Sequence, residues 1–292
     1  MRTVKTSRRR WLRNLTLLPA MALASRVRLH AAETEKDSAR DFGTVVGDQV
    51  ETFIRGSRLA ILPLGALEHH GPSGPPSTDT LIAAGLAGRI AARVQAAVFP
   101  AVAYAQCPAH TAGFHGSISV RPEVMTMLYA DILRGIVKNG FTKVLLLNAH
   151  SGNVGPARAA ASEVAQEHSN AQMIVVNWWE TLGSETLGKL QLFTSGNGGH
   201  GHGGPLELSV AAVFAPASVV PGRAPDLPAT EGVGREFPYF MDKSGAPGWK
   251  AYSGKLSEIS REKGEKLAGI VVDRISALVE TWLRSDTVLG NW

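Results

Sequence analysis

Histidines and carboxylates occur together at several points of the sequence, which is the composition expected of a metal site. Seven of the nine histidines fall in four places: His69/His70, His110/His115, His150 and His200/His202. The densest cluster runs from Glu68 to Asp79 and contains His70. Carboxylate and imidazole groups suit Zn²⁺, Mn²⁺ or Fe²⁺. The single cysteine, Cys107, excludes a Cys-rich zinc site and an internal disulfide. We therefore predict that any metal ligands are His, Asp and Glu.

Spacing alone leaves a second interpretation of this cluster open. Asp79 could cap the start of a helix, and Glu68 and His70 could form a solvent-exposed pair. If Glu68 and His70 end an extended segment, their side chains point the same way, because alternate side chains share one face. That arrangement would let them act together as ligands.

Alternating strands and helices must position these residues. The predicted strands are Leu59–Gly65, Ala97–Tyr104, Lys143–Asn148 and Met173–Trp179. The predicted helices run over Thr80–Val94, Pro122–Gly140, a segment from Pro156, Leu206–Phe214 and a C-terminal segment around Leu267–Trp282. A Gly/Pro-rich excursion separates the last two, at about residues 221–254. This pattern is typical of βαβ units and predicts an α/β domain with a mostly parallel sheet. In such sheets ligands bind at the carboxyl ends of the strands, where these histidines fall.

The first 32 residues have the composition of an export signal. They contain no Asp or Glu and eight basic residues: Arg2, Lys5, Arg8, Arg9, Arg10, Arg13, Arg26 and Arg28. An apolar run over residues 15–24 and Ala-x-Ala spacings ending at Ala24 complete a secretory signal, and Ala32 offers a second cleavage point. The stretch Ser7-Arg-Arg-Arg-Trp-Leu12 resembles the twin-arginine signature. We expect residues 1–32 to direct export to the periplasm or the exterior.

The net charge argues against nucleic acid as a partner. The whole chain carries +5, with a pI near 9.5, but without the eight basic residues of the leader the charge becomes −3. No basic stripe with interleaved aromatic residues is found after residue 32. The apolar run of the leader is about ten residues, well below the roughly 20 needed to span a bilayer, so we expect no stable membrane insertion.

Four motifs in register resemble the creatininase family of metal-dependent amidohydrolases. They are Glu68-x-His70-Gly-Pro with Thr78-Asp79, His110-x-x-x-Phe114-x-Gly-Ser-Ile-Ser119, Asn148-Ala-His150-Ser-Gly152-Asn153 and His202-x-x-x-x-Glu207-x-Ser209. The resemblance extends from about Val50 to the C-terminal helix. It identifies residues 40–292 as a creatininase-like domain and implies a three-layer α/β/α fold.

The resemblance also implies a site with two divalent metal ions per chain, of Zn, Mn or Fe. Glu68, Asp79 and His150 would hold one ion. His70 would hold the other, and Asp79 would bridge the two. His202 would act as the proton shuttle. Family members form ring-like oligomers, which implies a homo-oligomer.

The sequence departs from the family pattern at the second metal ion. Creatininase-like members carry a glutamate two residues after the motif histidine, whereas this chain has Gly152. The change resembles the branch of the family with an Asn-Gly-His-Gly-Gly-Asn loop. There the later glutamate, here Glu207, is the candidate for the missing ligand and a member of the catalytic set. Pro205 also replaces an acidic residue of the family pattern that could help orient the substrate or His202. The substrate of any one family member is therefore not carried over to this chain.

The resemblance implies a hydrolase that cleaves an amide C–N bond with a metal-activated water. A small cyclic amide is the expected substrate, and a peptide or formamide bond is the alternative within the family. An exported non-catalytic metal-binding protein is the alternative outside it. A serine α/β-hydrolase is disfavoured, since the stretch 149–152 lacks the required Gly-x-Ser-x-Gly. Trp178 and Trp179 are either substrate-stacking or core residues.

Overall fold

The centre of the fold is a parallel sheet of four strands. The computed structural model describes residues 40–228 and 248–285, so the predicted signal at residues 1–32 lies outside the described residues. The strands are β1 (Ala60–Leu64), β2 (Ala97–Val98), β3 (Lys143–Asn148) and β4 (Gln172–Asn177). They are ordered β2-β1-β3-β4 and every pairing is parallel. The predicted α/β fold with a parallel sheet is confirmed.

Helices cover both faces of this sheet. They are α1 (Val50–Arg55), α2 (Thr78–Val94), α3 (Pro122–Lys138), α4 (Val154–Glu167), α5 (Ser184–Leu190), α6 (Pro205–Phe214) and α7 (Arg261–Arg284). Side chains alternate between the faces of a strand. Ile61 and Leu145 accordingly pack in one core with α2, α6 and α7, while Leu62 and Leu146 pack in the other with α3 and α4. The result is the three-layer arrangement.

The central strands are apolar throughout because both of their faces are covered. All five residues of β1 are buried, and so are the last five of β3. Continuous burial explains why these two strands can be recognised in the sequence as uninterrupted apolar runs. It also makes them a rigid base for the loops that follow their carboxyl ends.

Gly65 lets helix α2 begin directly against the end of β1. A Cβ atom at this position would lie 2.4 Å from the Cα of Thr80, in the first turn of the helix. Only glycine allows the two backbones to approach this closely. Thr80 also donates a hydrogen bond from Oγ1 to the carbonyl of Ala66 at 3.0 Å. These contacts fix the first turn of α2 beside the loop that follows β1.

Two of the predicted strands extend further along the chain than the strands in the structure. The prediction of a strand over Ala97–Tyr104 is wrong beyond Val98, since only Ala97–Val98 is regular and Val102 makes an isolated bridge to Leu64. Pro100 interrupts the segment, because proline cannot donate to a sheet ladder. The strand predicted to reach Trp179 ends at Asn177, and both tryptophans lie in a 3-10 helix, Trp178–Leu182.

The excursion predicted at about residues 221–254 is described only at its two ends. Residues 229–247 lie outside the described residues. The flanking parts are tied together, because Tyr252 donates from its hydroxyl to the carbonyl of Pro225 at 3.0 Å and Leu227 donates to the carbonyl of Gly254. In the described ranges 40–228 and 248–285, no helix is long and apolar enough to cross a membrane.

Candidate metal centre

The six candidate site residues meet at the carboxyl edge of the sheet. They are Glu68 and His70 in the loop after β1, Asp79 in the first turn of α2, His150 after β3, His202 just before α6, and Glu207 in the first turn of α6. The first four are at most 2% exposed. The side chains of His202 and Glu207 are 16% and 18% exposed. Parallel strands bring their carboxyl ends together, which explains the convergence of segments distant in sequence.

Burial of Glu68 and His70 and the position of Asp79 in its helix exclude the alternative interpretations that the sequence left open. Glu68 and His70 are not a solvent-exposed pair, since both are buried. Asp79 is not the N-cap of α2, because Ser77 holds that position. The segment that carries Glu68 and His70 is an irregular loop rather than the end of a strand.

Two groups of possible ligand atoms share the carboxylate of Asp79. Its Oδ2 lies 2.9 Å from His150 Nδ1, which in turn lies 3.2 Å from Glu68 Oε2. Its Oδ1 lies 3.1 Å from His70 Nε2, which lies 3.6 Å from Glu207 Oε2. Each trio has its ligand atoms within 4.8 Å of one another. Asp79 thus presents one oxygen to each group, as a bridging carboxylate does.

A third trio overlaps the first two. Glu68, His70 and His202 also have potential ligand atoms within 4.8 Å of one another. His202 Nδ1 lies 3.6 Å from Glu68 Oε2, and the rings of His70 and His202 have centroids 4.4 Å apart. His202 is therefore close enough to exchange protons with groups held in the site.

Backbone carbonyls fix which nitrogen of each imidazole faces the site. His70 Nδ1 bonds to the carbonyl of Glu68 at 2.8 Å, and His150 Nε2 bonds to that of Gln106 at 2.9 Å. His202 Nε2 bonds to the carbonyl of His69 at 2.7 Å. A carbonyl only accepts, so each of these nitrogens carries the proton. When such a ring is neutral, its other nitrogen presents a lone pair toward the carboxylates, which is the state that binds a metal.

Two buried polar atoms at the shared carboxylate lack hydrogen-bond partners. With the imidazoles neutral, His70 Nε2 and Asp79 Oδ2 have no hydrogen-bond partner, although both are shielded from solvent. Buried polar groups are almost always satisfied, so such atoms need a reason. A divalent cation is the partner that a carboxylate oxygen and an imidazole lone pair have in common. The residues present therefore fit the metal ions that the sequence led us to expect.

The charges of the pocket favour a bound cation. Burial alone would raise the pKa of Glu68, but the hydrogen bond and charge of His150 outweigh it and lower the pKa to about 2. Burial would lower the pKa of His70, but the charges of Asp79 and Glu207 raise it to about 10. The pKa of His150 is likewise raised by Asp79 and Glu68 against the effect of burial. Without a metal, this strongly negative environment holds a second proton on each ring, and a metal ion would bind in place of that proton.

His202 and Glu207 differ from the other residues in charge state. Burial lowers the pKa of His202 to about 4, and the charge of His70 acts in the same direction, so the ring is neutral at pH 7. Burial raises the pKa of Glu207 to about 7, against the opposing charge of His70. The backbone N–H of Gly203 donates to Glu207 Oε2 at 2.8 Å and orients that carboxylate.

A buried polar network beneath His150 holds its loop. Asn148 Oδ1 accepts from the backbone N–H of His150 at 3.0 Å and from Asn153 Nδ2 at 3.2 Å. Asn153 Oδ1 accepts from the hydroxyl of Tyr129 at 2.7 Å. All three supporting side chains are fully buried. The motif around His150 contains both asparagines, but its spacing gave no indication of Tyr129, which comes from helix α3.

Two further supports were not identified from the sequence. Gln106 acts through its backbone carbonyl, which no residue type can reveal. The hydroxyl of Thr111 donates to Glu68 Oε1, and nothing in the sequence marked this threonine except its position next to His110.

His110 lies beside His202, with ring centroids 5.9 Å apart. His115 does not join the cluster through its ring, and its carbonyl instead bonds to His69 Nδ1 at 3.0 Å.

A small cavity opens over this cluster. Its volume is about 190 Å³, and its lining includes Trp178, Trp179 and Leu206 next to the ligand groups. Trp178 is buried and Trp179 is half-buried, so this pair serves the core and the cavity wall together. A larger hollow of about 580 Å³ lies near helix α5, but the residues that line it carry no ionisable side chain. The chemistry of the described residues therefore lies in the smaller cavity.

Sequence relatives of this chain are hydrolases. Creatinine amidohydrolase of Pseudomonas putida is 29% identical over 233 residues, covering 76% of this chain and 88% of that protein. A 3-dehydro-scyllo-inosose hydrolase of Thermotoga maritima is 28% identical over 116 residues, 40% of this chain and 37% of that protein. A mycofactocin precursor peptide peptidase of Mycolicibacterium smegmatis is 30% identical over 135 residues, 44% of this chain and 53% of that protein. The chain thus matches about a third to a half of two of these relatives and most of the other.

Solved structures share the fold. A mutant creatininase described as Zn-Zn type has a TM-score of 0.73 at 23% identity, covering 84% of this chain and 98% of its own. A creatininase described as the Mn form has a TM-score of 0.73 at 22% identity, covering 84% and 99%. The family model for creatinine amidohydrolase matches residues 46–279, which is most of the chain. The chain therefore belongs to the creatininase family, whose members are hydrolases acting on carbon–nitrogen bonds.

Proposed function

We propose that this protein hydrolyses the amide bond of a small cyclic amide, using two divalent metal ions. Opening of the ring would release a carboxylate and an amine. The observation that carries the proposal is the shared carboxylate of Asp79, with Oδ1 directed to His70 and Oδ2 to His150. Two ions of Zn, Mn or Fe are proposed, and neighbours of the same fold described as Zn-Zn and Mn forms support zinc or manganese.

The residues divide into two sets of proposed ligands. Glu68, Asp79 and His150 would hold one ion, and His70, Asp79 and Glu207 would hold the other. When bound, divalent ions supply Lewis acidity and lower the pKa of water toward neutrality. Three carboxylates and two imidazoles provide the hard and borderline donors that such ions require.

His202 is proposed to move the proton during hydrolysis. Its Nε2–H is committed to the carbonyl of His69, so Nδ1 is the atom that accepts a proton from the attacking water. Burial keeps this ring neutral at pH 7, which leaves Nδ1 ready to accept. The same nitrogen then returns the proton to the departing amide nitrogen. General acid–base transfer of this kind contributes roughly 10²–10⁴-fold to turnover.

The cavity supports a small substrate. Its volume among the described residues, about 190 Å³, is below the roughly 300–1,000 Å³ of pockets for drug-sized ligands. Trp179 is half-buried and lines the cavity together with Leu206, so an apolar wall would face the ring of a substrate. The carboxylates and imidazoles in the same lining supply the polar groups. The relation to creatinine amidohydrolase of Pseudomonas putida supports the same substrate class.

A peptide bond is the second candidate. The relation to a mycofactocin precursor peptide peptidase, at 30% identity over 135 residues, supports it. A peptide would have to extend beyond the small cavity. An exported protein that binds metal without turnover is the remaining alternative, and the presence of His202 argues against it.

Export and assembly are proposed on the sequence alone. The basic leader with Ser7-Arg8-Arg9-Arg10 supports twin-arginine export to the periplasm or the exterior. This route carries folded proteins, which suits an enzyme that acquires its metals first. Replacing Arg8, Arg9 and Arg10 with lysine should leave the protein in the cytoplasm, and secretion of that variant would contradict the proposal. A homo-oligomer is expected from the family, and analytical ultracentrifugation tests it.

The function is tested by metal removal and restoration with three substrate classes. The purified protein is stripped with a chelator, reloaded with Zn²⁺ or Mn²⁺, and assayed on lactams, creatinine-like rings and short peptides. We expect turnover of a ring amide that disappears on stripping and returns on reloading. Turnover of peptides alone would favour the second candidate. Metal binding without hydrolysis of any amide would contradict the proposed enzymatic function.

A further inference from the structure

Thr111 bonds to one carboxylate oxygen of Glu68, and the proposed ligand groups lie nearest to the other. Its hydroxyl donates to Glu68 Oε1, and its side chain is fully buried. The other oxygen, Oε2, faces His150 Nδ1 at 3.2 Å and His202 Nδ1 at 3.6 Å. The two oxygens of Glu68 therefore have different surroundings.

The hydroxyl of Thr111 has two possible hydrogen-bond acceptors but only one proton to donate. The carbonyl of Pro108 also lies within reach of the hydroxyl, at 3.1 Å, but a hydroxyl has one proton to donate. Hydrogen bonds to an ionised carboxylate are roughly twice as strong as those between neutral groups. The contact of the hydroxyl with Glu68 Oε1 is also the shorter of the two. The hydroxyl consequently donates to Oε1 and leaves Oε2 for a cation.

The loop that carries Thr111 supports the ligands of one group. The carbonyl of Gln106 bonds to His150 Nε2 at 2.9 Å, so residues 106–111 orient both Glu68 and His150. The other group is held from elsewhere. His70 is oriented by the backbone of Glu68, and Glu207 is oriented by the N–H of Gly203. The support is therefore unequal between the two groups.

We propose that Thr111 is a positioning residue that selects Glu68 Oε2 as the ligand atom for the ion held with Asp79 and His150. The proposal rests on the proposed two-metal function. Supporting hydrogen bonds to metal ligands typically contribute 10–100-fold to metal affinity. Loss of the Thr111 hydroxyl should thus weaken one ion by about that factor and leave the other ion nearly unchanged.

The test is a metal titration of Thr111→Val, which keeps the shape and removes the donor. Zn²⁺ is titrated into the metal-free protein against a competing chelator, and the two dissociation constants are compared with those of the wild type. We expect one constant to rise about 10–100-fold and the other to change less than about threefold. Thr111→Ser keeps the donor and should restore both constants. Thr281→Val, on the exposed side of helix α7, is the matched control and should behave as the wild type.

Several outcomes would overturn the proposal. Equal weakening of both ions would indicate a general loss of structure, and unchanged constants would show that the hydroxyl does not matter. A serine variant as weak as the valine variant would also contradict it. If Thr111→Val does not fold, Thr111→Ala must show the same selective loss. Amide turnover by the wild type is measured separately, so failure of the proposed function is seen without any Thr111 variant.

Discussion

Gly152 lies directly against the backbone carbonyl of Gln106. A Cβ atom at position 152 would fall 1.9 Å from that oxygen and 2.8 Å from His150 Nε2. The same carbonyl accepts the hydrogen bond that orients His150. The family resemblance expects a glutamate at this position in creatininase-like members, but here the space for any side chain is occupied. The absence of that glutamate is thus built into the packing around His150.

The Gly152→Ala variant should lose stability and weaken the site. Forcing an atom into this contact must displace the carbonyl of Gln106, and overpacking of this kind costs about 1–3 kcal/mol. The free energy of unfolding, measured with urea, should fall by that amount. Gly155→Ala is the matched control, because a Cβ there meets nothing within 4 Å. It should leave stability unchanged or raise it by up to about 1 kcal/mol. Equal stability of the two variants would contradict the close contact.

Glu207→Gln should remove one metal ion and retain the other. Glu207 belongs to the group with His70 and Asp79. The group of Glu68, Asp79 and His150 does not include it. Elemental analysis should give one ion per chain instead of two at limiting metal. Glu262→Gln, in the first turn of helix α7, is the control and should keep both. Full metal content in Glu207→Gln would remove this residue from the ligand set.

Asp79→Asn should reduce the binding of both ions. Its two carboxylate oxygens face His70 and His150 separately, so loss of the charge affects both groups. Isothermal titration with Zn²⁺ should show weaker binding in both steps. The exposed Asp273→Asn, which alters only a surface pair with Arg93, should bind as the wild type. Selective loss of a single ion would show that Asp79 does not bridge.

His202→Gln should keep both metals and lose turnover. The side chain of His202 is proposed to transfer the proton, so kcat should fall roughly 10²–10⁴-fold while metal content is preserved. His168→Gln, at the end of helix α4, controls for the loss of an imidazole elsewhere. Metal loss equal to that of Asp79→Asn would instead make His202 a ligand, as the trio with Glu68 and His70 permits.

The sequence predicted the parts of the fold that depend on continuous burial. Strands β1 and β3 are uninterrupted apolar runs, and their predicted bounds match the structure within one residue. The predictions that failed lie where irregular backbone replaces a ladder, after Val98 and after Asn177. After Asn177, the apolar composition reflects the burial of Trp178 rather than strand pairing.

The residues of the candidate site, and their grouping through the family resemblance, could be predicted from the sequence, but their geometry could not. The cluster around Glu68 and Asp79 stood out because carboxylates and histidines are dense there. Sequence spacing does not show which oxygen of Asp79 faces which imidazole, because that depends on where helix α2 meets the loop after β3. The roles of Gln106 and Thr111 depend on a loop 40 residues away from Glu68, and one of them acts through its backbone.

Anomalous X-ray diffraction from crystals of the metal-loaded protein tests the central claim most directly. Data collected on both sides of the zinc absorption edge should show two peaks per chain. One peak should lie among Glu68, Asp79 and His150, and the other among His70, Asp79 and Glu207. A single peak, or a peak that does not contact Asp79, would contradict the account.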